Sequence, residues 1–254
     1  MLALVSLAAL WKAGWFDRGR RPVREATGLP AVGWLVVAVA AFFGQAVGAG
    51  LGLVVLGSVL GEGLETTSAA AIFGAIGAVV TTAGAFSVIA PKVSIARRSG
   101  LTAAWRDSWV GALVCLAAIP LVSVTALVAT LAAGGGDPLT HETLRQLATN
   151  DSAAVWALTA VAVVVAAPVG EELIFRGLLQ TGFSRAGLGP AGGVVAASGA
   201  FLLVHASVLD AQMMPALFVL SVVLGLSYER TGRLGGPIVA HACFNAFNLW
   251  ASGV

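Results

Sequence analysis

Charge is what this sequence has least of. Asp, Glu, Lys and Arg fill 10% of the 254 positions while hydrophobic residues fill 58%, which is too little charge to coat a soluble globule of this size. A water-soluble fold is excluded, and the chain reads as a polytopic membrane protein. Cysteine is nearly absent. Cys115 and Cys243 both fall in apolar runs, so the sequence offers neither a disulfide framework nor a cysteine zinc motif, and both residues read as core. No serine or cysteine sits in a nucleophile elbow. No His-Glu-x-x-His helix occurs. No inverted repeat marks two transporter-like halves, and no low-complexity tract or second domain breaks the chain. What is plentiful is glycine, 32 residues of it, as suits membrane helices that approach closely through small side chains.

The fold class that follows is all-α: a polytopic membrane helix bundle of 7–8 transmembrane helices, forming a single transmembrane domain over residues 1–254. Residues 1–32 are an apolar N-terminal segment and a basic linker. The apolar part, Met1 to Phe16, is short, is interrupted by Lys12 and lacks the features of a secretory leader. It is expected to be a short first span or an interfacial helix. Clear spans follow at about Gly33–Leu60, Ala69–Ala90, Ser108–Ala133, Ser152–Gly170, Gly192–Leu209, Met213–Tyr228 and Pro237–Ala251, since about 20 apolar residues cross the hydrocarbon core. Alternating the loops puts Lys12, Arg18, Arg20, Arg21, Arg24, Lys92, Arg97, Arg98, Arg106, Arg176, Arg185, Arg230 and Arg233 on one side and leaves Arg145 for the other. The positive-inside rule makes the rich side cytoplasmic.

Against this background a few polar residues stand out, because ionisable groups inside a bilayer are costly and mark function by default. Glu171, Glu172 and Arg176 end an uncharged run that begins at Ala153. His205 lies among apolar neighbours in the next span. His241 and Asn245 lie four apart on one face of the last. Glu171 precedes the Gly187-Leu188-Gly189-Pro190 turn by about as much as His205 follows it, so an antiparallel hairpin brings them to one height. Asp210 follows His205 too soon for a straight helix to reach the outer face, so the segment Ala206 to Pro215 is expected to turn inside the protein, where protein covers irregular backbone.

These groups suit hydrolysis by water. Glu172 pairs with Arg176 at i,i+4 and positions the site. Glu171, about 100° away on the helix, is left to act with His205 as general base on a water molecule. His241 and Asn245 polarise the substrate carbonyl and stabilise the oxyanion. Phe201, Phe244 and Phe247 read as packing, and His141, beside Glu142 in an outer loop, reads as solvated. A proton- or cation-coupled transporter would use the same buried acids and histidines as a relay, and a protease-like scaffold would bind a partner without cleaving it.

Glu171-Glu172-x-x-x-Arg176, Phe201-x-x-x-His205 and His241-x-x-x-Asn245, in that order on successive membrane helices, resemble the CAAX prenyl protease and bacteriocin-processing (Abi) family. The similarity covers a catalytic core of about residues 150–250. It implies an intramembrane endopeptidase in which Glu171 and His205 activate water and Glu172, Arg176, His241 and Asn245 complete the motifs. With the Ala/Gly/Val-rich composition it also implies a multi-pass protein of the bacterial plasma membrane, and the loop charges are expected to turn its polar cavity to the cytoplasm. Its partners would be the lipid bilayer and a peptide or membrane-protein substrate, prenylated or not, and no nucleic acid. One further family pattern, Phe-x-x-Gly, is imperfect here, since Ser221 stands three residues after Phe218. That departure is expected to concern packing. Glu171, His205 and His241 also make a plausible two-histidine, one-carboxylate zinc set; of the two readings, metal-free catalysis is preferred.

Overall fold

A backbone in lipid must satisfy its own hydrogen bonds, and long runs of Ala, Val, Leu and Gly do so as α-helix. The computed structural model describes residues 2–12, 29–61, 63–89, 100–101, 103–135 and 142–251, and every regular element among them is helical. In order these are α1 (Leu2–Lys12), α2 (Ala31–Leu60), α3 (Leu64–Ile89), α4 (Arg106–Ala132) and α5 (Glu142–Ala148). Then come α6 (residues 153–188), α7 (Gly189–His205), α8 (Met214–Thr231) and α9 (Gly235–Ala251), with a short 3₁₀ turn Ala211–Met213 before α8. The basic linker of residues 17–25, Lys92, Arg97, Arg98 and His141 lie outside the described residues.

The protein is an all-helical membrane bundle. Among the described residues five helical segments are long and apolar enough to cross a bilayer: Ala31–Val59, Glu65–Ile89, Arg106–Ala132, Ala153–His205 and Ala211–Thr231. The fourth is α6 read through into α7, broken where Gly187 (φ 106°) and Gly189 (φ 67°) take backbone conformations that other residues resist. Helices α7 and α9 have 17 residues each and rise about 26 Å. With 11 residues, α1 rises only about 16 Å, short of the roughly 30 Å core. Its Leu10 packs with Val114, Cys115 and Val122 of α4.

Contacts at the helix ends fix which termini share a side. Asp107, buried at the start of α4, is paired with Arg233 in the α8–α9 turn, and Leu234 N–H donates to the Gly100 carbonyl at 2.9 Å. Arg185 near the end of α6 donates to the carbonyl of Leu29, just before α2, and lies over the Trp34 ring. Arg106, Arg185, Arg230 and Arg233 therefore gather at one end. At the opposite end Leu147 of α5 packs with Val155 and Leu249. The short helix α5 was not anticipated in what reads from sequence as a polar loop.

Helices α2 and α3 form the tightest pair. A Cβ on Gly77 would run into the Gly44 carbonyl, so only glycine permits this approach. The outer side of α2 exposes Val36, Val39, Phe43, Val47 and Val54, a stripe that water would not tolerate and lipid accommodates. Its inner side joins Trp34, Val37 and Ala41 to Ile174, Phe175 and Leu178 of α6 and Phe201 of α7. A second cluster gathers Leu220 and Leu224 of α8 and Ala240 of α9 onto α4. The polar residues lie between the two.

Two expectations need correction. The fourth span does not stop at Gly170: helix α6 continues through both glutamates to residue 188, because the side chains of Leu173 to Leu178 and of Gln180 are buried against neighbouring helices. The chain does turn after His205, but residues 206–208 are exposed rather than covered by protein. The turn is self-sufficient instead, since Val208 and Leu209 both return their N–H groups to the His205 carbonyl at 3.1 Å.

Candidate active site

The site begins with an irregularity in α6. Residues Ala162–Ala166 are wound as π-helix, and Ala167 donates its N–H to the Ala162 carbonyl. Continuing that register, residue 168 would donate to Val163, but Pro168 has no N–H to give. The Val163 carbonyl is therefore left without its helical donor, and Asn245 Nδ2 of α9 supplies one at 2.9 Å. This bond holds α9 against α6 about two turns before the glutamates. A second π-helical stretch, Leu173–Gln180, follows them directly; such widened turns recur at functional sites.

Glu172 is fully buried, as is Arg176. Arg176 Nε stands 3.2 Å from Glu172 Oε2, which is the i,i+4 pair read from the sequence. Two further contacts were not foreseen. Glu172 Oε1 also meets His241 Nδ1 at 2.9 Å. Arg176 Nη2 donates to both the carbonyl and the Oγ of Ser221, at 3.2 and 3.1 Å. Ser221 thus meets the arginine that braces Glu172, so its presence in place of glycine bears on the site as well as on packing. The guanidinium also lies 4.9 Å above the Phe201 ring.

Glu171 faces differently. Its Oε1 is 3.9 Å from His205 Nε2 and its Oε2 is 3.9 Å from His241 Nε2. The side chains of Glu171 and His205 are 17% and 19% exposed, against 6% for His241, so these two are the members a small molecule reaches. The imidazoles are oriented from behind. His205 Nδ1 lies 2.8 Å from the Phe201 carbonyl, which can only accept, so Nδ1 is the donor there and Nε2 is turned to Glu171. His241 is held likewise through Nδ1 by Glu172. The Phe201 ring stacks on His205 with centroids 4.3 Å apart, so it orients a site residue besides packing. Phe244 packs into the α4–α8–α9 cluster, and Phe247 lies beside Trp250.

All six sequence candidates thus lie on contacting faces of α6, α7 and α9. Glu171, His205 and His241 surround one point; Glu172 and Arg176 stand behind His241; Asn245 is anchored on Val163. What motif reading missed is Ser221, together with the Glu172–His241 contact. Serine where the family pattern has glycine was the available signal for Ser221, while no spacing rule reports a contact between residues on separate helices. Separations of 3.9 Å are too long for hydrogen bonds and suit one bridging water. Among the described residues no group of three or more His, Cys, Asp or Glu side chains is disposed to hold a metal ion.

Fold and site together define a helical membrane protein with a glutamate–histidine centre enclosed by three helices. Residues 153–247 match the family model described as type II CAAX prenyl endopeptidase Rce1-like, a stretch that holds all six candidates. That stretch is similar to a family of CAAX-type peptidases, the family whose three motifs the sequence carries. Comparison with curated proteins and with solved structures gave no match.

Proposed function

We propose that the protein is an intramembrane endopeptidase that hydrolyses a peptide bond with water activated by Glu171 and His205. The observation that carries this reading is the pair of 3.9 Å gaps joining Glu171 to two imidazoles whose other nitrogens are already committed. A water between them donates one hydrogen to the Glu171 carboxylate and presents an oxygen lone pair to the substrate carbonyl carbon. As the C–O bond forms, Glu171 takes the proton, with His205 Nε2 as the adjoining acceptor; such general-base assistance is worth about 10²–10⁴ in rate. His241 Nε2, with Glu172 holding the ring from behind, is placed toward the oxyanion, and the second N–H of Asn245 is a further donor. Loss of one such donor costs about 10²–10³. The tetrahedral intermediate then breaks its C–N bond while the proton held by Glu171 passes to the leaving amine.

The substrate class is a peptide or membrane protein, with or without a prenyl group. The cluster of arginines at one helix end supports a multi-pass plasma-membrane protein with that end, and the cavity mouth, toward the cytoplasm. Purified protein in detergent, offered a fluorogenic peptide library, tests the reading. Cleavage by the wild type that disappears in Glu171→Gln and His205→Ala is expected. Folded wild-type protein that cleaves nothing, yet carries ions across liposomes, would replace the peptidase with a transporter.

A further inference from the structure

Helix α2 carries one amide deep in its apolar course. Gln45 lies near the middle of Ala31–Leu60, whereas Ser58, close to the end, is spent on the Val55 carbonyl of its own helix. An amide at that depth ordinarily ties two helices together. Gln45 does not: the half-buried side chain makes no hydrogen bond to any described residue. An unmatched amide in an apolar medium is costly, which makes its location informative.

That location is beside the catalytic helix. A Cβ built on Gly170, the residue preceding Glu171, would lie 4.0 Å from Gln45 Oε1 and 3.3 Å from the Ala75 Cα. A Cβ on Gly74 would lie 3.3 Å from Gln45 Cγ. Glycines on α3 and α6 thus leave the space through which the amide reaches the layer of Glu171.

The geometry points to Gln45 as a substrate-binding residue whose amide pairs with a backbone peptide group of the substrate close to the scissile bond. The chemistry is complementary, since a peptide group offers one donor and one acceptor and the Gln45 amide presents a carbonyl and an NH2 to meet both. An extended chain advances about 3.3 Å per residue, so the partner group falls within a few residues of the bond attacked at Glu171. In a medium without competing water, this contact recognises the peptide backbone irrespective of side chain. Bonding that is supplied only by substrate also explains why the amide is unmatched among the described residues.

This inference rests on the peptidase reading, and the test separates the two. In proteoliposomes the best-cleaved library peptide is compared with a series in which each non-scissile backbone N–H in turn is replaced by an ester oxygen, using wild type, Gln45→Leu and Gln45→Met. Expected is a rise in KM of about tenfold in both variants, the size of one hydrogen bond, with unchanged melting temperature. One ester position should cost the wild type about tenfold and the variants less than about twofold. Variants as efficient as the wild type, or equally sensitive to every ester, overturn the role of Gln45 and leave the peptidase standing. A wild type that cleaves no peptide overturns both.

Discussion

The Glu172 carboxylate holds His241 Nδ1 at 2.9 Å while its other oxygen stands 3.2 Å from Arg176 Nε. Adjacent glutamates on one helix therefore have different surroundings. Glu172, without solvent, meets an imidazole and a buried cation; Glu171, reachable, faces His205 and the outer nitrogen of His241.

Glu171→Gln should keep the fold and lose turnover, with kcat down about 10²-fold or more and an unchanged melting temperature. Glu172→Gln leaves Arg176 buried without its countercharge, a loss of about 3–5 kcal/mol, so stability and activity should fall together. Thermal melts of both variants beside peptide cleavage provide the measurement. Equal destabilisation by the two substitutions would contradict this division.

Asn245→Ala strips the Val163 carbonyl of its donor, and a buried acceptor left unmatched costs about 1–3 kcal/mol. Pro168→Ala restores an N–H at the position from which the helix itself can serve that carbonyl. The double variant should then be more stable than the sum of the single changes implies, by at least about 0.5 kcal/mol. Additive melting data across the four proteins would show that Pro168 and Asn245 do not answer one another.

Ser221→Ala deletes one of two acceptors for Arg176 Nη2 and spares the backbone carbonyl. A hydrogen bond to a charged group is worth about 1.5–3 kcal/mol, so a clear loss of stability is expected, with Ser221→Thr closer to the wild type. Chemical denaturation is the suitable readout. A variant indistinguishable from the wild type would return the serine to a packing role.

Cleavage should survive 1,10-phenanthroline and dialysis against chelator, since water activation is assigned to Glu171 and His205 directly. Activity lost on this treatment and restored by one equivalent of zinc would instead make Glu171, His205 and His241 ligands.

The parts legible in the sequence were those announced by rarity. Glu171, His205 and His241 are conspicuous because each interrupts an apolar run, and the hairpin at Gly187 and Gly189 set the relative heights of the first two. The same signal was present in Gln45 and went unused, since one amide among thirty α2 residues lacks a companion at helical spacing. Contacts with backbone carbonyls were hidden for another reason. The bonds from His205 to Phe201 and from Asn245 to Val163 end on atoms every residue possesses, so no residue type advertises them. Pro168 did advertise a missing donor, but locating the bereft carbonyl required knowing that the helix there is wound in the wider register. The end of α7 at His205 was obscured because residues 206–209 are nearly as apolar as the helix before them.

The pairing of a proline with an asparagine across two helices also acts as a key. Sliding α9 by one residue would bring Asn245 opposite a different stretch of α6 and strand the carbonyl at Val163, while moving His241 out of step with Glu172. Alignment of Glu172 with His241 is thereby encoded one turn away from them, in a missing hydrogen. Across related chains the two positions should change in concert.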